Sequence, residues 1–401
     1  MLIGITKIIL RGIGIIILSI IVLVGALFGC LEIAHNQPVT LPPPTGTYSV
    51  GRTEFDWTDN SRVDPLSDKA DEKRELVVWA WYPATTSQKD STAPYLPPDW
   101  VTARNKDQGA LGGIIESRFS SIKTHSFATV PVAGVQSAYP VIILEPGMGP
   151  IPTDYTVYAE NLASHGYIVF GINPTYTSNV IVFPDGRVAL RSTKGTIPDS
   201  ANASEADADA SRIGKVWTQD VLFVMDQLQS LNTDSSSPFF NKLDLSHIGV
   251  FGHSFGGATA ASICETDPRC KAGVDLDGTL FSYQAGAALQ APFMFMAEDN
   301  CDQNCDAMRQ AYSHSNDAAY YLSIKGTKHF NYSDMPLRLP PLSSLLLKQM
   351  GFIGSIQPER GLEISNAYLA AFFDQYLNGI NSELLQSSTS PYPEVQFEKR
   401  N

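Results

Sequence analysis

His247-Ile248-Gly249-Val250-Phe251-Gly252-His253-Ser254-Phe255-Gly256 is the stretch from which the rest of the chain can be read. The run from His247 to Phe251 is apolar and predicts a buried strand. Gly257-Ala258-Thr259-Ala260-Ala261, small residues throughout, can open a helix. Between them stands Gly-x-Ser-x-Gly, a sharp turn whose glycines leave room where a Cβ would crowd and which presents the serine hydroxyl above a sheet. The bare pattern arises by chance in many chains. Set between a strand and a helix, it marks Ser254 as a nucleophile, against the plainer reading of a tight glycine turn with an exposed serine.

Outward from this turn, short apolar runs recur. Glu75 to Tyr82, Tyr139 to Leu144, Tyr167 to Gly171, Ala272 to Leu276, Pro292 to Met296 and Ala319 to Ile324 each have strand length and composition. Helical patterns alternate with them: Asp154 to His165, Ala206 to Leu231 with Ile213, Val216, Trp217, Val221, Val224 and Leu228 on one face, and Ile364 to Leu377. Short buried strands alternating with helices predict a mostly parallel central sheet with helices on both faces. With the serine turn, this is the α/β-hydrolase fold. The stretch from Ala84 to Gln136 is polar and proline-marked and is expected to wrap the surface.

The chain has 401 residues and a formal net charge of -13, which makes nucleic acid an improbable partner. Its first 35 residues differ in kind. Lys7 and Arg11 precede an uncharged stretch, Gly12 to Leu31, of about the 20 residues a membrane-crossing helix needs. An uncleaved anchor, a cleaved signal peptide, and a lipoprotein signal ending at Cys30 all fit, and all three export the catalytic part of the chain. The expected organisation is a signal or anchor helix over 1–35, a proline-rich tether over 36–47, a catalytic domain over 48–380 and a loose polar tail over 381–401. The close pairs Cys264/Cys270 and Cys301/Cys305 predict two local disulfides, consistent with an oxidising compartment. No histidine lies at ligand spacing around either pair, so no metal and no cofactor is expected.

A serine hydroxyl needs an imidazole to take its proton and a carboxylate to hold that imidazole. In this fold the order along the chain is serine, acid, histidine. Only His314 and His329 come after Ser254. His314 falls in a surface helix pattern, whereas His329 comes after a strand and the loop Lys325-Gly326-Thr327-Lys328, so His329 is the expected base. For the acid, Asp275 and Asp277 lie at the end of one strand and Glu298 and Asp299 at the end of the next. The pattern leans toward Asp299. The oxyanion hole is expected from the amide of Phe255 and that of Met148 in the loop Glu145-Pro146-Gly147-Met148-Gly149.

These motifs together resemble the single-chain, plasma-type platelet-activating factor acetylhydrolases and their bacterial relatives. The likeness runs through Pro140 to Leu144, Gly147-Met148-Gly149, Leu162 to Val169, Gly252 to Ala258, Gly273-Val274-Asp275-Leu276-Asp277-Gly278, Lys325 to Asn331 and Ile364 to Ala367. The resemblance implies Asp277 as the triad acid, leaving Asp299 as the alternative, and puts the two oxyanion donors on Met148 and Phe255. It also implies a phospholipid ester with a short or oxidised sn-2 acyl chain. The family's loop commonly has histidine where this chain has Pro146, and Glu145 adds a carboxylate beside the hole, which is expected to disfavour anionic substrates. Met335 to Ile356 reads either as a lipid-facing edge or as a buried helix.

The expectation is an exported serine ester hydrolase acting on a lipid ester, with the membrane met through the N-terminal segment. Its rivals are a general carboxylesterase or polyesterase on the same scaffold and a non-catalytic binding protein of hydrolase form. Oligomeric state is not legible from the sequence.

Overall fold

The computed structural model describes residues 36–115, 119–281, 288–301, 305–387 and 389–400, together with scattered positions between 15 and 33. Most of the predicted N-terminal segment therefore lies outside the described residues. Its described positions are helical and Cys30 is exposed with a free thiol. Among the described residues no helix is long and apolar enough to cross a membrane.

Ten strands form the central sheet: β1 (Ser49–Val63), β2 (Lys73–Ala84), β3 (Ser126–Ala128), β4 (Tyr139–Glu145), β5 (Ile168–Asn173), β6 (Leu243–His253), β7 (Cys270–Leu276), β8 (Phe293–Ala297), β9 (Ala319–Ile324) and β10 (Val395–Arg400). Their order across the sheet is β10-β9-β8-β7-β6-β4-β5-β2-β1-β3. From β9 to β5 the neighbours are parallel; β10, β2 and β1 pair antiparallel toward the edges.

The inner strands read as unbroken apolar runs because both their faces are covered. In β2, Val77, Trp79 and Trp81 join one core while Leu76, Val78, Ala80 and Tyr82 join the other. In β4, Ile142 and Leu144 face one way and Val141 and Ile143 the other. The longer helices, in chain order, are α1 (Pro98–Ile115), α2 (Thr156–Ser164), α3 (Ala203–Thr233), α4 (Phe255–Thr266), α5 (Asp306–His314), α6 (Pro341–Gln349) and α7 (Pro358–Leu377). Val157 and Leu162 of α2 and Leu369 and Phe373 of α7 fill the first core. Val221 and Leu228 of α3 and Ala258 and Ile263 of α4 fill the second. The start of α3 is fixed by Asn202, whose Oδ1 accepts the amides of Ser204 and Glu205 while Glu205 accepts the amide of Asn202. Buried Arg74 ties β2 to that helix, donating to Asp220 at 2.6 Å and to Asp64 at 2.9 Å.

Three expectations change. The segment after residue 381 is not loose: Val395 and Phe397 turn inward between Gln396 and Glu398, and this alternation makes β10 an edge strand of the same sheet. The stretch from Ala84 to Gln136 carries α1 and β3 rather than surface loop alone. The proline-rich segment is docked, with Val39–Thr40 paired to Ile122–Lys123 and the amides of Thr45 and Gly46 donating to Asn161 and Ser164. Both disulfides are present, with Cα separations of 5.1 Å for Cys264–Cys270 and 5.8 Å for Cys301–Cys305.

Phe397 packs half-buried against Tyr320 and Tyr368, with centroids 6.0 and 5.7 Å away. Phe397→Ala is expected to lower the unfolding free energy by about 2 kcal/mol. Its outward neighbour Gln396→Ala should change it by less than about 0.5 kcal/mol. Urea unfolding of the two variants checks this.

Candidate active site

The carboxyl ends of the parallel strands converge on one edge, the usual site of chemistry in such sheets. Ser254 comes after β6, Asp277 after β7 and Glu298 after β8. His329 lies five residues past β9 (329 − 324), and the loop from Pro146 to Gly149 leaves β4. Ser254 sits at φ 56° and ψ −121°, a conformation costly for any residue but glycine. Its amide donates to the carbonyl of Leu276 at 3.0 Å, and its carbonyl accepts the amides of Gly257 and Ala258. The turn is held from both ends.

His329 brings Nε2 to 3.0 Å from Ser254 Oγ and Nδ1 to 2.7 Å from Asp277 Oδ2. Asp277, itself at φ 54°, has its other oxygen occupied by the amide of Glu298 at 2.7 Å. Nδ1–H therefore points at the carboxylate, and Nε2 is left to accept from the serine hydroxyl. Asp299 lies elsewhere: its Oδ2 accepts the amide of Gly326 at 2.8 Å and so braces the loop before His329. Glu298 pairs with Lys328 at 2.6 Å. His314 is exposed at the end of α5.

The amides of Met148 and Phe255 have no hydrogen-bond acceptor in the protein among the described residues. Phe255 is the first residue of α4, so its N–H is one of the free donors at a helix start. Burial works against a charge on Glu145 beside this loop. It is fully buried, and burial pushes its carboxyl well above the usual carboxylate range. Desolvation favours the neutral form of this acid, which weakens the expected repulsion of anionic substrates.

His253 was not singled out by the sequence beyond its place in the turn. It is buried, and its Nε2 lies 2.9 Å from the carbonyl of His329, which fixes Nε2–H as the donor. Its Nδ1 then accepts from the Tyr155 hydroxyl at 2.8 Å, and that oxygen accepts the amide of Gly147 at 2.9 Å. One neutral imidazole thus joins the backbone of His329 to the loop that carries Met148. Burial, and the nearby charge of His329, hold it well below its ordinary pKa. The signal available in the sequence was a polar ring inside a buried strand, but its partner Tyr155 is 98 residues away.

Beneath the turn, buried Asp275 accepts the amide of Gly278 at 2.7 Å through one oxygen, while the other has no hydrogen-bond partner among the described residues. A Cβ on Gly257 or Gly278 would overlap this carboxyl, so the glycines make its room. Ligand atoms of Asp277, Cys301 and Cys305 lie within 4.8 Å of one another, but both sulfurs are joined in the disulfide and the carboxylate is shared between His329 and Glu298. That group offers no cation site while oxidised. Beyond His329, Phe330 packs edge-on to its ring and against Phe352. Leu342, Leu345, Leu346, Met350 and Phe352 are exposed, and no residue of α6 is buried, so this stretch is an apolar surface rather than a core helix.

Known proteins share this arrangement of chain. The family described as platelet-activating factor acetylhydrolase, isoform II, matches residues 33–185 and 225–390. A protein of Arthroderma benhamiae named probable 1-alkyl-2-acetylglycerophosphocholine esterase is 25% identical over 390 residues, 89% of this chain and 93% of its own. The platelet-activating factor acetylhydrolase of Canis lupus familiaris is 24% identical over 384 residues, 88% of this chain and 80% of its own. Among solved structures, a ferulic acid esterase from Streptomyces cinnamoneus superposes with a TM-score of 0.74 at 26% identity, covering 90% of this chain and 99% of that one.

Two variants test the supporting residues. Burial raises the Asp275 carboxyl well above the usual range, so the native state keeps a proton that the unfolded chain releases above about pH 4. Native stability then falls as pH rises from there. Asp275→Asn should raise the melting temperature at pH 8 and lose that gain by pH 4, as calorimetry would show. His253→Phe strands the Tyr155 hydroxyl and the His329 carbonyl, and at about 1–3 kcal/mol for such a loss kcat should fall roughly 10- to 100-fold. Steady-state kinetics on a small ester should find KM little changed.

Proposed function

This chain belongs to the platelet-activating factor acetylhydrolase, isoform II, family, and on that premise we propose that Ser254, His329 and Asp277 are its catalytic triad. As a member it is a carboxylic ester hydrolase of the 1-alkyl-2-acetylglycerophosphocholine esterase kind. The observation that carries the triad is the unbroken contact from Ser254 Oγ through both nitrogens of His329 to Asp277 Oδ2, at 3.0 and 2.7 Å.

In this reading Ser254 Oγ attacks the ester carbonyl while His329 Nε2 takes its proton. Asp277 holds the ring and stabilises the imidazolium. The amides of Met148 and Phe255 receive the oxyanion. His329 returns the proton to the departing alkoxide, leaving an acyl-serine; water, deprotonated by the same ring, then releases the acid and frees Ser254. The substrate is a phospholipid bearing a short or oxidised sn-2 acyl chain. The acetyl group in the relatives' names supports the short chain, and the exposed apolar residues of α6 and Phe352, the last packed on Phe330, suit a lipid. A general carboxylesterase is the second reading, favoured by the likeness to the ferulic acid esterase. Export belongs to the proposal too, resting on the apolar N-terminal segment and on two disulfides.

Ser254→Ala should reduce hydrolysis of a short-acyl nitrophenyl ester by about 10⁴-fold or more. Asp277→Asn should cost about 10³- to 10⁴-fold, because the amide favours the wrong imidazole tautomer. Asp299→Asn should stay within about threefold, since its oxygen still accepts from Gly326. Equal losses in the two Asn variants would remove Asp277 from the triad. A panel of acetyl-phospholipid, longer sn-2 chains and feruloyl ester separates the two substrate readings.

A further inference from the structure

A cleft of about 210 Å³ reaches the loop of Met148 and the residue after His329. Met148, whose amide is proposed above as an oxyanion donor, and Phe330, the neighbour of His329, both line it. Away from these two residues its walls are rich in donors. Arg104 and Gln108 come from α1, Asn179 and Arg191 from the segment between β5 and α3, and Arg338 from the turn of helix Met335–Arg338. The carboxylate in this wall, Asp154, is already committed. Its Oδ2 accepts Arg104 Nη1 at 3.1 Å and the amide of Ile151 at 3.0 Å, and its Oδ1 lies 2.9 Å from Arg338 Nη1.

Arg191 differs from the charged residues around it. Arg187 pairs with Glu75 and Asp185, and Lys194 lies 3.8 Å from Asp68. The side chain of Arg191 has no ion-pair or hydrogen-bond partner among the described residues, and only its backbone amide is used, by Asn179. A lone exposed arginine on a convex surface would simply face water. This one lines a concave wall next to the oxyanion loop, with side-chain amides of Gln108 and Asn179 in the same cleft. A guanidinium fork matches the paired oxygens of a carboxylate or a phosphate. Glu145, the acid nearest the loop in sequence, is buried away from solvent, which weakens its opposition to such a group.

We infer that this cleft is a subsite for an anionic group carried by the ester substrate, a phosphodiester or a terminal carboxylate, with Arg191 as the residue that selects it. The inference rests on the esterase reading above and adds to it a preference within esters.

The test measures kcat/KM of the full chain, and of Arg191→Gln and Arg191→Glu, on two matched pairs of soluble esters. One pair is a 1-alkyl-2-acetylglycerophosphocholine and the 1-alkyl-2-acetylglycerol that lacks its phosphodiester. The other is the 4-nitrophenyl monoester of glutaric acid and 4-nitrophenyl butyrate. Loss of one charge-assisted contact should lower kcat/KM for the anionic member of a pair by about tenfold in Arg191→Gln and by more in Arg191→Glu. The neutral members should stay within about twofold, which also shows that the variants are folded. The pair that responds identifies phosphate or carboxylate as the group held. Equal effects on anionic and neutral members, or no effect on either, would overturn the subsite while leaving the esterase reading intact. Failure of the unaltered chain to hydrolyse any of the four esters would overturn both.

Discussion

Ser254 is held in a backbone conformation that costs roughly 1–3 kcal/mol for an L-residue, and the surrounding sheet exists in a form that enforces it. Its φ of 56° is set by bonds to Leu276 on one side and to the first turn of α4 on the other. The glycines then let backbone lie on backbone. A Cβ at Gly256 would overlap the carbonyl oxygens of Glu145 and Pro146, and one at Gly252 would overlap Gly256 itself. The same contact therefore fixes two things at once: the height of the serine hydroxyl and the approach of the loop carrying the Met148 amide. His253, between them, adds the third element through the His329 carbonyl. Ser254, His329 and the loop of Met148 are positioned by one packed junction rather than by three separate devices.

Much of this was legible because the informative residues are local. The turn declares itself in five residues, and chain order leaves two histidines after it. The inner strands show as apolar runs because both faces are buried. What escaped the sequence depended on distance. Asp277 and Asp299 both end strands, and nothing local says which one reaches His329; the resemblance pointed to Asp277, and Asp299 instead braces Gly326. β10 was hidden by its charges, since an edge strand needs only alternate apolar residues, here Val395 and Phe397. β1 was hidden in the same way by Glu54, Asp56 and Thr58 along its exposed face. Glu145 shows the same limit: a carboxylate in a glycine-rich loop suggests charge, whereas its burial at the end of β4 favours the neutral form.

The surroundings of the junction divide by chemistry. On one side lie the exposed leucines of α6 and Phe352; on another lies the donor-rich cleft of Arg191. An amphiphilic ester, with an apolar chain and a charged group near the scissile bond, suits both. On the proposed reading the scaffold fixes the reaction, and these rims select among esters.

On the proposed mechanism an acyl group passes through Ser254. Rapid acid quenching of the enzyme during turnover of an acetyl ester, with peptide mass spectrometry of the quenched protein, tests it most directly. The acetyl group should be found on the Ser254 hydroxyl and should accumulate when water attack is slowed. An acyl group found on another side chain, or turnover with Ser254 unmodified throughout, would contradict it.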